Sequence, residues 1–165
     1  MTTTTAPDTR HHIPARLDVD AAAPTFSKAM SHLDTSATRE LDRVGFPAGL
    51  RELVRLRASQ LNGCAYCVDT HATDAASAGE SAQRVNAVAI WNESPFFAER
   101  ERAALRFTEV VTRLAETRVP PEEYDAVAAC WSPDEVAALL SLIVTINAWN
   151  ALAVATRAWE PVLAG

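Results

Sequence analysis

Residues 52–79 read ELVRLRASQLNGCAYCVDTHATDAASAG, and the rest of the chain is organised around them. Two of the three cysteines lie in this stretch, as Cys64-Ala-Tyr-Cys67. His71 follows four residues after the second cysteine, and Glu52 stands twelve residues before the first. These four side chains are the candidate functional residues, and the remaining segments are expected to position them.

The stretch predicts two helices joined by a tight turn. The first runs from about Pro47 to Leu61, because its apolar residues recur at helical spacing. Asn62-Gly63 ends it, since both residues tolerate the left-handed backbone conformation that closes a helix. The second helix runs from about Cys64 to Ala78, with Gly79 after it.

This arrangement brings both cysteines to the first turn of the second helix. Cys64 and Cys67 are i, i+3 neighbours, while Cys67 and His71 are i, i+4 neighbours on the same face. A helix N-terminus stabilises a thiolate and lowers the pKa of a cysteine to about 3.5–7.5. The helix dipole favours Cys64 as the more acidic thiol, whereas the neighbouring imidazole favours Cys67.

A thiolate with a second thiol beside it has the composition that peroxide reduction needs. The thiolate attacks a peroxide oxygen, a sulfenic acid forms, and the second thiol closes a disulfide. His71 could exchange a proton at Cys67. Glu52 could orient that histidine if the two helices bring them together, or it could be an ordinary surface charge.

The rest of the chain also predicts helices, since no period-2 strand pattern and no internal repeat occur. The fold class is therefore all-α, with about six to eight helices in one domain over residues 15–165. Residues 1–14 are predicted to be a disordered polar tail, which carries His11 and His12. The other predicted helices are a first one from near Pro24 to Asp34, a short second one over 36–44, one over 81–91, one opened by Ser94-Pro95, one over 122–129, and a last one opened by the capping box 132–135 and ending near Trp159.

Charge and composition exclude several function classes. The net charge is −6 with no basic cluster, so nucleic acid is not an expected partner. No apolar signal segment opens the chain, which predicts a reducing, cytoplasmic location. Residues 136–156 carry no charge, but their asparagines, serine and threonine favour a core or subunit-interface helix over a membrane span.

The central stretch resembles the alkylhydroperoxidase D-like (AhpD-like), or carboxymuconolactone decarboxylase-like, superfamily. The family pattern is a glutamate, Cys-x-x-Cys twelve residues later, and a histidine four residues after that. Glu52, Cys64, Cys67 and His71 match it position by position, over a likeness that covers roughly 17–159. Further matching segments are 59–67, 78–80, 100–105 and 147–150.

The resemblance implies an all-helical AhpD-like bundle that forms homo-oligomers, often trimers or hexamers. It implies a thiol peroxidase with no metal or organic cofactor, in which Cys67 attacks the hydroperoxide and Cys64 resolves. Glu52 and His71 would relay protons, and a dithiol, such as a dihydrolipoyl protein, would be the reductant. The chain departs from the best-studied branch at Tyr66, where that branch has a second histidine.

Three alternatives remain open at the level of the sequence. Cys64, Cys67 and His71 could bind zinc, with Glu52 or water as fourth ligand. The chain could be a non-enzymatic redox sensor or a structural oligomer, because a fold does not prove an activity. It could also act as a carboxymuconolactone decarboxylase-like enzyme, although that branch typically lacks the cysteine pair.

Overall fold

A computed structural model describes residues 12–162 as a bundle of helices, with no strand among them. The all-α prediction is confirmed. Among the described residues, two of the α-helices, Val19–Ala22 and Leu114–Thr117, are single turns. The other seven agree with the predicted number of about six to eight. Residues 1–11 of the predicted tail lie outside the described residues. The elements are α1 Val19–Ala22, α2 Pro24–Arg43, α3 Ala48–Asn62, α4 Ala65–Ser77, α5 Ala82–Ala87, a 3₁₀ helix Val88–Glu93, α6 Glu99–Thr112, α7 Leu114–Thr117, α8 Pro121–Cys130 and α9 Pro133–Thr156.

Helix α9 is the central element of the core. It packs against α2, α3, α6 and α8, and Leu139, Leu142 and Ile143 on it are fully buried. By length and hydropathy α9 could also cross a bilayer, with a mean hydropathy of 1.8 over its most apolar window. Half of that window is buried inside the fold. This packing favours the prediction of a core helix.

The start of α9 is the predicted capping box. The carboxylate of Glu135 accepts the Ser132 N–H at 2.8 Å, and the Ser132 hydroxyl accepts the Glu135 N–H at 3.4 Å. Pro133 occupies the first helical position, where its missing N–H costs no hydrogen bond. The N–H groups of Ser132 and Glu135 at this end of the helix are therefore satisfied.

Helix α2 is a single helix of 20 residues, so the predicted break near 34–36 is wrong. The hydroxyls of Ser31, Thr35 and Ser36 each donate to the carbonyl four residues earlier. Such bonds satisfy the hydroxyls within the helix instead of ending it. On this helix Met30, Ala37 and Leu41 are buried, while Phe26 is 51% exposed.

The segment between α5 and α6 also differs from the prediction. The expected helix over 81–91 changes to 3₁₀ geometry after Ala87, and α6 begins at Glu99 instead of beside Pro95. The Ser94 hydroxyl accepts the N–H of Phe96 and caps a local turn. The loop up to Ala98 is held by Arg84, which donates to the Phe96 carbonyl and, at 2.6 Å, to Glu101.

Candidate active site

The cysteine pair is placed by the turn between α3 and α4, which pack against each other. Gly63 adopts a left-handed conformation with φ 68°, as predicted for the residue that closes α3. The Cys64 N–H then donates to the Ser59 carbonyl at 3.0 Å. Cys64 becomes the N-cap of α4, and its Sγ accepts the Cys67 N–H at 3.3 Å. The end of α3 therefore places the Cys-x-x-Cys motif at the N-terminus of α4.

Cys64 and Cys67 are joined in a disulfide, with their Cα atoms 5.3 Å apart. Both are buried, and they form a small cluster with Ala153 of α9, against which Trp159 packs. In this oxidised form the sulfurs are not free thiolates. The zinc alternative with Cys64 and Cys67 as ligands therefore requires the reduced pair.

Glu52 contacts His71, which answers the question that the sequence left open. Glu52 Oε2 lies 2.9 Å from His71 Nδ1, and both side chains are largely shielded from solvent. An ionised carboxylate can only accept a hydrogen bond, so Nδ1 carries the proton that it donates. Nε2 is then the nitrogen of the neutral ring that is able to accept a proton. Glu52 thus fixes the tautomer of the histidine.

Arg55 holds the other oxygen of the same carboxylate. Arg55 Nη1 donates to Glu52 Oε1 at 2.6 Å, and its Nη2 lies 3.9 Å from Asp34 of α2. Burial opposes ionisation of Glu52, but the hydrogen bond from His71 and the charge of Arg55 outweigh it and lower the pKa of the carboxyl below its ordinary value. Glu52 is consequently an anion at neutral pH.

Cys67 and His71 open onto the same cleft, which we call the histidine cleft. It has a volume of about 430 Å³ and is also lined by Asp34, Arg55 and Asp74. Ile146 and Trp149 of α9 form its apolar side. A cavity of this size that combines an apolar wall with polar and charged groups can hold a small molecule. Cys64 is not among the residues that line it.

One group of potential metal ligands lies at this cleft. Glu52, His71 and Asp74 offer ligand atoms within 4.8 Å of one another. The set includes neither cysteine, so it differs from the zinc site considered from the sequence. Asp74 is exposed, and the carboxylate of Glu52 already has two partners. Hydrogen bonding within the protein therefore accounts for the contact between Glu52 and His71.

A polar network that the sequence did not assign fixes the α3 end to α9. The amide of Asn62 donates to Asn147 at 2.8 Å and to Asn150 at 2.9 Å. Asn150 in turn donates to the Ser59 hydroxyl at 3.0 Å, which donates to the carbonyl of Arg55. The two asparagines on the uncharged helix were the available signal, since a buried polar group needs a partner.

Aromatic side chains surround the cysteines on the solvent side. Tyr66 stands beside Trp159 with ring centroids 5.9 Å apart, and Trp159 meets Trp149 edge to face at 5.8 Å. Tyr66, at the position where the best-studied branch of the family has a second histidine, thus packs against the indole of Trp159. Its place in this cluster indicates that it forms a wall of the site.

The fold and parts of the sequence match known proteins. A model of the carboxymuconolactone decarboxylase family matches residues 24–110. The uncharacterized protein YdfG of Bacillus subtilis is 40% identical over 105 residues, which are 64% of this chain and 71% of YdfG. The crystal structure of a protein of unknown function from Agrobacterium tumefaciens, whose name links it to the antioxidant defence protein AhpD, is 35% identical with a TM-score of 0.84. That match covers 91% of this chain and 100% of the other.

A more distant structure shows how varied the chemistry on this fold is. The debrominase Bmp8, crystallised with 2,3,4-tribromopyrrole, has a TM-score of 0.71 at 21% identity, over 84% of this chain and 72% of its own. At that identity the likeness concerns the fold alone. The function must therefore be argued from the site.

Proposed function

Since the chain belongs to the carboxymuconolactone decarboxylase family, we propose that it is a thiol-dependent peroxidase that reduces organic hydroperoxides. The observation that carries the proposal is the histidine cleft, in which Cys67 and a histidine of fixed tautomer face the same space. A redox-active Cys-x-x-Cys pair at a helix N-terminus completes the set. The catalytic residues are then Cys67, Cys64, His71 and Glu52.

The first half of the cycle takes place in the histidine cleft. The Cys67 thiolate attacks one peroxide oxygen, a sulfur–oxygen bond forms, and the oxygen–oxygen bond breaks. His71 Nε2 takes the proton that the Cys67 thiol loses and passes it to the departing alkoxide, which leaves as the alcohol. Glu52 stabilises the imidazolium that precedes this transfer, because its carboxylate is ionised and bonded to Nδ1.

The second half closes the disulfide. The Cys64 thiol attacks the sulfenic sulfur of Cys67, the new sulfur–sulfur bond forms, and hydroxide leaves as water after protonation. The oxidised pair is the form described here, with Cys64 at the N-cap and Cys67 in the first turn. A dithiol then restores the two thiols. A reducing cytoplasmic location fits this requirement.

This assignment of roles follows from which sulfur faces the histidine. Cys67 lines the cleft together with His71, whereas Cys64 does not. The helix N-terminus alone would favour Cys64, whose sulfur accepts an N–H. We give more weight to the cleft, because proton transfer to the departing alkoxide requires the histidine and the reacting sulfur to share one space.

Assembly into a homo-oligomer, trimeric or hexameric as in the family resemblance, is part of the proposal. The packed helices α2 and α9 carry large apolar side chains that are 40–51% exposed in the single chain. They are Phe26, Leu33, Leu140, Val144 and Val154. Apolar surface of this kind commonly supports subunit contacts.

Peroxide consumption with a dithiol reductant tests the function. Cys67→Ser is expected to abolish turnover, and His71→Ala to lower it about 10²- to 10⁴-fold, as for loss of a general acid. Cys64→Ser should accumulate a sulfenic acid at Cys67 that a dimedone-type reagent traps. Cys130→Ser is the matched control, because the third cysteine lies on α8 and lines neither the histidine cleft nor the disulfide cluster.

The same set of variants separates the alternatives. Wild-type protein that consumes no more peroxide than Cys67→Ser, with its helical content intact, would overturn the peroxidase assignment. A carboxymuconolactone decarboxylase-like activity that survives loss of both cysteines would assign the site to that reaction instead.

A further inference from the structure

The two sulfurs of the disulfide open onto different clefts. A second cleft, which we call the Cys64 cleft, has a volume of about 310 Å³ and includes Gly63, Cys64 and Ala65 in its lining. Cys67 is not part of that lining, and Cys64 is not part of the histidine cleft. A reagent in one cleft therefore reaches a different sulfur from a reagent in the other.

A pair of aromatic side chains separates the two spaces. Tyr66 and Trp159 line both clefts, and their rings are in contact. Trp159 also packs against the buried cysteines. Each cleft thus has its own opening on one side of this wall, with the disulfide behind it.

The clefts differ in charge. The Cys64 cleft is lined by Arg16 and Arg157 against one carboxylate, Glu160. That carboxylate already accepts the N–H of Ile13 at 3.4 Å and lies 3.1 Å from the ring of His12. The Cys64 cleft therefore has an excess of positive charge in a chain whose net charge is −6.

The histidine cleft has the opposite character. Asp34 and Asp74 outnumber Arg55 there, and Arg55 is already paired with Glu52 behind the cleft. An anion is thus repelled by the space in front of Cys67 and attracted by the space in front of Cys64.

We propose that the Cys64 cleft binds the reductant, a small dithiol with an apolar chain and a carboxylate, which reduces the disulfide by attacking Cys64. This proposal rests on the proposed function, because it supplies the second half of the redox cycle. The volume suits a small molecule, Val154 and Pro161 offer apolar walls, and the two arginines complement a carboxylate. Oxidant and reductant then reach the disulfide from separate sides.

The reduction of the disulfide by the dithiol balances in electrons. One thiolate of the dithiol attacks Cys64 Sγ, the bond between Cys64 and Cys67 breaks, and the electron pair leaves on Cys67 Sγ. The second thiol then attacks the reductant sulfur of the mixed disulfide and releases Cys64, so the dithiol becomes a cyclic disulfide. Two electrons pass to the protein, and both cysteines return to the reduced form.

The chemistry of the leaving group supports this direction of attack. Thiol–disulfide exchange is faster when the departing sulfur is the better leaving group. Cys67 departs into the cleft that holds His71, which can donate a proton to it. Attack at Cys67 would instead expel Cys64 away from that histidine.

The first experiment measures reduction of the protein disulfide without any peroxide. Dihydrolipoate is the anionic probe and dihydrolipoamide the neutral one, with thiol release as the readout at low salt. Arg157→Glu and Arg16→Glu should each slow dihydrolipoate about 3- to 10-fold and leave dihydrolipoamide unchanged. The difference should shrink at high salt, where exposed charges are screened.

Arg118→Glu is the matched control. Like Arg157 it is an arginine in a left-handed conformation, with φ 55° against 52°, at the end of a helix. It lines neither cleft, so its variant should reduce as fast as wild type with both probes. Equal slowing by all three variants, or by none, would overturn the assignment of the Cys64 cleft.

The second experiment identifies the sulfur. In a Cys130→Ser background, Cys67→Ser leaves only Cys64, and Cys64→Ser leaves only Cys67. The dianionic aromatic disulfide dithiobis(nitrobenzoate) should react with Cys64 at a rate that Arg157→Glu lowers, and with Cys67 at a rate that it does not change. The reverse pattern would place the anion path at Cys67 and refute the proposal. Neither assay contains peroxide, so failure of the peroxidase assignment would be seen separately.

Discussion

Asn150 on α9 offers a direct test of how the site is held in place. It is 1% exposed, accepts from Asn62 at 2.9 Å and donates to the Ser59 hydroxyl at 3.0 Å. Both partners lie on α3, within five residues of Cys64. Among the described residues, no buried side-chain nitrogen or oxygen lacks a partner. Asn150→Ala would remove both bonds, and each of its two partners would keep one other hydrogen bond.

The expected loss follows from these contacts. Each of the two hydrogen bonds contributes about 1 kcal/mol net, so losing both costs about 2 kcal/mol. The higher helix propensity of alanine returns about 0.5 kcal/mol. Asn150→Ala should therefore lower the free energy of unfolding by about 1–2 kcal/mol, against a typical stability of about 5–15 kcal/mol.

Urea unfolding followed by circular dichroism measures the effect. With a typical m-value of about 1–3 kcal/mol/M, the midpoint should fall by about 0.5–1.5 M with m unchanged. The protein concentration is kept constant, because subunit association would shift the midpoint. Ser141→Ala is the control, since the Ser141 hydroxyl donates only to Ala138 within the same helix. Equal midpoints for the two variants would refute the claim that the network anchors α3.

Two further perturbations have expected outcomes. Glu52→Gln should lower stability by about 1–2 kcal/mol at pH 7, because hydrogen bonds to the carboxylate are lost or weakened. The pKa of Glu52 is below its ordinary value of 4.5, so its contribution is present above that pH and disappears as pH falls through the lower folded value. The difference in melting temperature between wild type and variant should therefore be smaller at pH 3.5 than at pH 7; an equal difference at both would contradict this linkage. Gly63→Ala should cost about 1–2 kcal/mol in the same urea assay, because φ is 68° and no described atom lies within 4 Å of a Cβ built there. Gly63→Asn should cost less, and a larger loss for asparagine would show that backbone strain is not the cause.

The sequence predicted the centre of the fold well because its signals there are local. Asn62-Gly63 ended α3 and Cys64 began α4 within one residue, since both depend on backbone conformation and capping at the turn itself. The contact between Glu52 and His71 was not predictable in the same way. Nineteen residues separate them, and only the packing of α3 on α4 brings them together.

The start of α6 was misjudged because a longer-range contact overrides a local signal. Ser94-Pro95 has the composition of a helix start, but Arg84 ties the following backbone to Glu101 and delays α6 until Glu99. The two clefts lay beyond sequence reasoning for a similar reason. Trp159 comes after the last helix and reaches the cysteines only because the chain folds back over α4.

The disulfide closes a loop of only three residue steps, and this limits how much the bond adds to the stability of the fold. In the chain-entropy view, a crosslink of about four residues restricts the unfolded chain by about 2 kcal/mol, against about 4.7 kcal/mol for a loop of 100 residues. Closing the bond therefore adds about 2 kcal/mol to the stability of the fold, less than half of what a crosslink over 100 residues would add. The packed core holds the helices in place in either redox form, and the reduced form is expected to be the less stable of the two.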